Sequence, residues 1–182
     1  EWSRTSVSIR DFEMINDIKW SRMVRSLFVD KLRSLGDDSA NRLRRQLEQV
    51  LPFCNNVLVA THVPPFWEAA WLPEGKRVMT DYRSSLSEDD ALLREGAHCE
   101  PDWVPFFACK AVGDVLLEFA DANPHCSFSV LCGHTHGGGE VSVRPNLHVV
   151  TGAAVYGAPK IQGEIVIGQG RELEKSGAVR RI

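Results

Sequence analysis

Val57-Leu58-Val59-Ala60-Thr61-His62-Val63-Pro64-Pro65 and Val130-Leu131-Cys132-Gly133-His134-Thr135-His136-Gly137 are two apolar runs that each end in histidine. A run of this length bounded by Pro or Gly reads as a buried strand, and in α/β proteins the carboxyl ends of such strands open onto the crevice where ligands bind. His62, His134 and His136 are therefore expected to meet at one sheet end. Converging neutral imidazoles are a common way to hold a transition metal, and a His-X-His at a strand exit is expected to aim both rings to one side. All three are assigned as metal ligands. No residue is assigned a catalytic role or a substrate-binding role.

Outward from these runs the chain alternates helix and strand, which gives an α/β fold class. From Asp11 to Leu35, Met14, Ile15, Ile18, Val24, Leu27, Phe28, Leu32 and Leu35 recur at spacings near three or four, the pattern of an interrupted helix. Gly36 is expected to close it and Asp38 or Ser39 to cap the next, whose stripe of Leu43, Leu47, Val50 and Leu51 ends at Pro52. Between Pro64 and Pro101 the periodicity fails, so 64–101 is expected to be an inserted loop or lid within one domain, 1–182. Leaving directly from His62, it would overhang the site and bring Phe66, Trp67, Trp71, Tyr82 or Arg83 towards a substrate. Packing of those aromatics onto the domain is the simpler reading.

Asp102 can cap a helix whose wide face comprises Val104, Phe107, Ala108, Ala111, Val112, Val115, Leu116 and Phe119, with Pro105 in its first turn. Cys109 falls on the same pattern. Asn123-Pro124 ends the helix. Strands are then expected at Ser127–Cys132, Glu140–Arg144, Leu147–Thr151 and Gly163–Ile167, and Gly137-Gly138-Gly139 supplies a tight turn without Cβ atoms. His98, His125 and His148 each stand alone and are read as surface or core residues.

The blocks Thr61-His62-Val63-Pro64-Pro65 and Gly133-His134-Thr135-His136 resemble the calcineurin-like metallophosphoesterases, in which an isolated His after a strand precedes a Gly-His-X-His. The likeness extends from the helix before His62 through Gly152-Ala153-Ala154-Val155-Tyr156-Gly157, the later half of such an α/β sandwich. The family's upstream blocks, an Asp-X-His, a Gly-Asp-X-X-Asp and a Gly-Asn-His-Asp/Glu, have no counterpart; Gly36-Asp37 and Gly113-Asp114 are accidental partial matches. The resemblance implies two divalent or trivalent ions (manganese, iron or zinc) about 3.5–4 Å apart, sharing an Asp and activating a hydroxide that hydrolyses a phosphate ester. Carried over residue by residue, His62 and His134 would bind one ion and His136 the other. The remaining ligands and the proton donor lie in the missing blocks. The chain is therefore expected to be a fragment, inactive without an amino-terminal half that could act in trans. The alternative is a truncated or degenerate binding module, or a subunit completed by a partner chain. A mononuclear zinc hydrolase using these three imidazoles is disfavoured, because no acidic residue lies in a motif that would make it a general base.

Composition narrows the partners. A formal charge of -3, from 21 Lys and Arg against 24 Asp and Glu, gives no indication of nucleic-acid binding. Arg42, Arg44 and Arg45 read as a solvated helix face. No apolar run approaches the ~20 residues of a membrane span, so a soluble chain is expected. Five cysteines without a Cys-X-X-Cys spacing argue against a disulfide framework and lean towards a cytoplasmic compartment. Cys132, two residues before His134, is the one placed to affect the site.

Overall fold

The computed structural model describes residues 11–19, 21, 24–70, 107–155, 157–161 and 163. Helices α1 (Asp11–Met14), α2 (Asn16–Lys19) and α3 (Arg25–Val50) lead through a 3-10 turn, Leu51–Phe53, into β1 (Asn56–Ala60). A short α4 (Trp67–Ala70), helix α5 (Lys110–Ala122) and strands β2 (Ser127–Cys132), β3 (Gly139–Arg144) and β4 (Leu147–Thr151) follow. The strands form a mixed sheet in the order β1-β2-β4-β3, with β1, β2 and β4 parallel and β3 antiparallel to β4. Helices and a mixed four-stranded sheet make the class α/β.

Period-two alternation explains the sheet. Val57 and Val59, Phe128 and Val130, Val141 and Val143, and Leu147 and Val149 all turn to one face and are buried. Against it lie Leu47 and Ala40 of α3 and Val112, Val115, Leu116 and Ala120 of α5, in a single core cluster. Among the described residues no helix is long and apolar enough to cross a membrane.

Three expectations are corrected here. Gly36 does not close a helix: α3 runs unbroken from Arg25 to Val50. The ~1 kcal/mol helix penalty of a glycine is outweighed when the flanking residues pack, and Ala40 and Leu47 are buried beyond it. The Ser39 hydroxyl is no cap, since it donates back to the Leu35 carbonyl at 2.8 Å. The helix with Val112, Val115 and Leu116 begins at Lys110, so Ala108 and Cys109 precede it, with the Cys109 amide donating to the Pro64 carbonyl at 2.8 Å. The third correction concerns the expected loop, whose first seven residues fold into the body: Pro64, Pro65 and Phe66 are buried, and Glu68, Ala69 and Ala70 of α4 are buried against β3 and β4. Phe66 is thus core and not a substrate contact. Trp71, Tyr82, Arg83, His98, Cys99, Asp102, Val104, Pro105 and Tyr156 lie outside the described residues, as do positions 164–167 of the last expected strand.

Arg44 departs from its two neighbours. Its guanidinium donates to both carboxylate oxygens of Glu118 on α5 and lies 5.6 Å from the Phe119 ring centroid, so it ties α3 to α5. The hydrogen bond from Arg44 holds the Glu118 carboxyl below its usual range, and the same bond holds the guanidinium up. A carboxyl depressed by folding adds stability above its unfolded-state pKa, and that contribution is lost as pH falls through the folded value. Glu118→Gln is accordingly expected to flatten the acid limb of a melting-temperature profile while leaving the neutral-to-alkaline limb parallel to the parent. An unchanged acid slope would show the pair to be energetically silent, the usual fate of exposed ion pairs.

Candidate metal centre

The parallel register explains why two histidines distant in sequence meet. Ala60 pairs with Leu131, so two steps onward His62 lies level with Gly133. Backbone bonds carry this pairing past the strand ends: Thr61 N–H donates to the Leu131 carbonyl at 2.9 Å and Gly133 N–H to the His62 carbonyl at 3.0 Å. His134 follows immediately. Its Nδ1 lies 3.2 Å from His62 Nε2, with ring centroids 5.0 Å apart at 67°. Phe107 flanks the pair, its ring centroid 5.7 Å from that of His134.

The motif histidines are not on a strand. β2 ends at Cys132, and His134 and His136 have φ of 71° and 60°, the non-glycine residues with positive φ among those described. Strand alternation therefore does not set their directions, contrary to the sequence expectation. A left-handed conformation in a residue with a Cβ costs on the order of 1–3 kcal/mol and persists where surrounding contacts over-determine it, as at many ligand sites. Here Thr135 N–H donates to the Gly133 carbonyl at 2.9 Å, the Thr135 hydroxyl to the Gly137 carbonyl at 3.0 Å, and Ala154 N–H to the His136 carbonyl at 3.1 Å. That last bond fastens the motif to the segment after β4. Gly139, the first residue of β3, is needed for packing, since a Cβ there would stand 2.6 Å from the Ala69 carbonyl oxygen.

Of the three predicted ligands, then, His62 and His134 share a contact, whereas His136 is exposed on the same turn. Among the described residues no group of three or more His, Cys, Asp and Glu side chains is placed to hold a metal ion. The 3.2 Å between the two paired nitrogens is nevertheless compatible with a shared ion, since two ligands about 2.0–2.1 Å from one ion, at angles between octahedral and tetrahedral, stand roughly 2.8–3.4 Å apart. Without an ion, one imidazole must donate a proton to the other.

Cys132 turns away from this pair. Its Sγ meets Thr151 Oγ1 at 3.1 Å, and burial pushes its thiol pKa up, against a smaller lowering by that hydrogen bond. His148 is tied into the sheet, with Nε2 2.9 Å from Glu140 Oε1 and Nδ1 3.1 Å from Ser142 Oγ, and His125 is exposed in a turn. Sequence reasoning missed Glu68, whose side chain is buried on α4. The available signal was the helix-forming run Trp67-Glu68-Ala69-Ala70, hidden behind two prolines.

His62 and His134 also line a cavity of ≈ 1510 Å³ between α3, β1 and the start of α5. Its wall runs from Leu43 and Leu47 to a charged rim of Arg33, Asp37, Asp38 and Arg42. No family model matches the chain, and no curated protein or solved structure is similar enough to match it.

Proposed function

We propose that this chain is the later part of a metal-dependent phosphoesterase that hydrolyses phosphate esters. The observation that carries the proposal is the 3.2 Å approach of His62 Nε2 to His134 Nδ1 at adjoining strand exits. In this reading the two imidazoles hold one cation and His136 contributes to a second, with the other ligands coming from the upstream blocks that the sequence lacks. Bound cations would neutralise phosphoryl charge and supply a nucleophile at neutral pH. The chain itself contributes two neighbouring imidazoles, a hydrogen-bonded turn that holds His134, and a cavity wide enough to take the organic part of an ester. Manganese, iron and zinc all suit a mixed nitrogen and oxygen shell.

A second reading rests on the sequence, in which the family's three upstream blocks have no counterpart. In it, the chain is a binding module or a subunit completed by a partner. Hydrolysis of p-nitrophenyl phosphate with added manganese separates the two. Turnover by this polypeptide alone, lost on chelation, refutes the module. Turnover only when a polypeptide carrying the upstream blocks is supplied supports the phosphoesterase and places the missing ligands in trans. Absence of turnover in both arms overturns the enzyme.

A further inference from the structure

We propose that Ser142, His148 and Glu140 form a nucleophilic site that takes the acyl group of a carboxylic ester, with Ser142 as the nucleophile.

The three residues lie on the antiparallel pair β3-β4. Ser142 stands directly opposite His148, and Glu140, opposite Val150, is the diagonal neighbour of His148. Their face of the sheet is opposite the one that buries Val141, Val143, Leu147 and Val149. The side chains of His148 and Glu140 are 30% and 39% exposed, and Ser142 is partly exposed, so a dissolved ester can reach them. Ser142 Oγ lies 3.1 Å from His148 Nδ1, and His148 Nε2 lies 2.9 Å from Glu140 Oε1.

The direction of these bonds follows from the donor inventory. A carboxylate can only accept, so Nε2 carries the proton that faces Glu140, and in the neutral ring Nδ1 is then bare. Ser142 must therefore donate to Nδ1. Hydroxyl, imidazole and carboxylate thus stand in the order nucleophile, base and orienting acid. The strand pairing slips by one residue immediately after Ser142, before Arg144. Such irregularities re-aim side chains and are over-represented beside active sites. Apolar side chains adjoin the three: Leu131 pairs with Val150, and Leu58, which is 42% exposed, pairs with Ser129 beside His148. A small apolar acyl group on Ser142 would lie against Val150.

In the reaction, Ser142 Oγ attacks the ester carbonyl carbon and gives its proton to His148 Nδ1. The bond to the alcohol oxygen breaks, and the alcohol leaves with that proton. Water then attacks the acyl-serine and gives a proton to Nδ1, and the carboxylic acid departs as Ser142 Oγ takes that proton back. One ester and one water become one acid and one alcohol. Glu140 is a positioning residue that holds the Nε2–H tautomer and offsets the charge of the imidazolium formed in each step. This site is separate from the histidines at the strand exits and does not depend on their binding a cation.

The test treats the chain with p-nitrophenyl acetate in excess EDTA, which takes any cation out of the reaction, and maps the acetylated residue by peptide mass spectrometry. Acetyl on Ser142 is expected, absent from Ser142→Ala and formed at least about 100-fold more slowly in His148→Asn. By nitrogen NMR the neutral His148 ring is expected to carry its proton on Nε2 in the parent and to divide between both tautomers in Glu140→Gln. The acetyl map and ring tautomer of the parent need no variant, so a substitution that failed to fold would leave both readings standing. Acetyl confined to lysines or other histidines, Ser142 acetylated at the parent rate in a folded His148→Asn, or a parent ring protonated on Nδ1 would each overturn the proposal.

Discussion

Replacing His134 with Ala in a phosphoesterase assembled as proposed is expected to lower kcat/KM by at least about 100-fold, because loss even of groups that merely orient metal ligands costs 10–100-fold. The substitution removes Nδ1 from the 3.2 Å contact with His62 and leaves the other imidazole as a lone donor on that side. Folding should survive. The His134 side chain is partly exposed on a turn fixed by backbone bonds among Gly133, Thr135 and His62, which alanine retains. Alanine also keeps a Cβ at φ 71°, so the backbone cost changes little. His125→Ala, in an exposed turn, is the matched control and should change turnover less than twofold. Full turnover by His134→Ala at saturating metal, with an unchanged melting temperature, would remove the imidazole pair from the mechanism.

Two glycine-to-alanine substitutions, both inside helices, are expected to have opposite signs. Helix propensity alone favours alanine over glycine by about 0.8–1 kcal/mol. At Gly36 a new Cβ would meet Cys109 Sγ at 3.6 Å, an ordinary contact, so Gly36→Ala should stabilise by roughly 0.5–1 kcal/mol. At Gly113 the Cβ would stand 2.5 Å from the Pro65 carbonyl oxygen and 3.0 Å from Phe66 Cε1. The nearest atom is backbone, held in place because the Cys109 amide donates to the adjoining Pro64 carbonyl at 2.8 Å. Overpacking of about 1–3 kcal/mol, at the upper end because the obstacle is fixed backbone, then exceeds the propensity gain, and Gly113→Ala should lower stability by up to about 2 kcal/mol. Urea denaturation reads both. A stabilised Gly113→Ala would mean that the segment after His62 is not wedged against α5, and the description of residues 64–70 as core would fail with it.

That wedge is also where the sequence misled. Pro64 and Pro65 read as the start of a loop because proline breaks periodicity, yet here they carry Phe66 and α4 into the body, and the compensating glycines, Gly113 and Gly139, sit on elements distant in the chain. Nothing local announces a backbone-to-backbone approach between residues 48 positions apart. The strands were far more readable. Ser127–Cys132 and Leu147–Thr151 coincide with their expected bounds because β-branched and apolar residues alternate cleanly between turn signals. Gly36 failed as a stop because a lone glycine signals a helix end only when the residues beyond it have no partner, and Leu47 had one. At the candidate site, the meeting of His62 with His134 followed from two strands ending level. The turn conformation of His134 and His136 did not, because left-handed backbone in a histidine has no compositional signature.

If His62 and His134 hold one cation, as proposed, their rings must respond to it together. Titration of the chain with zinc, following the imidazole resonances of each histidine by NMR, reads this. His62 and His134 are expected to shift along one shared binding curve, His134→Ala to abolish the shift of His62, and His125 and His148 to stay unchanged. A response confined to one of the pair, or one in which His125 or His148 shifts while His62 and His134 remain still, would contradict the proposal.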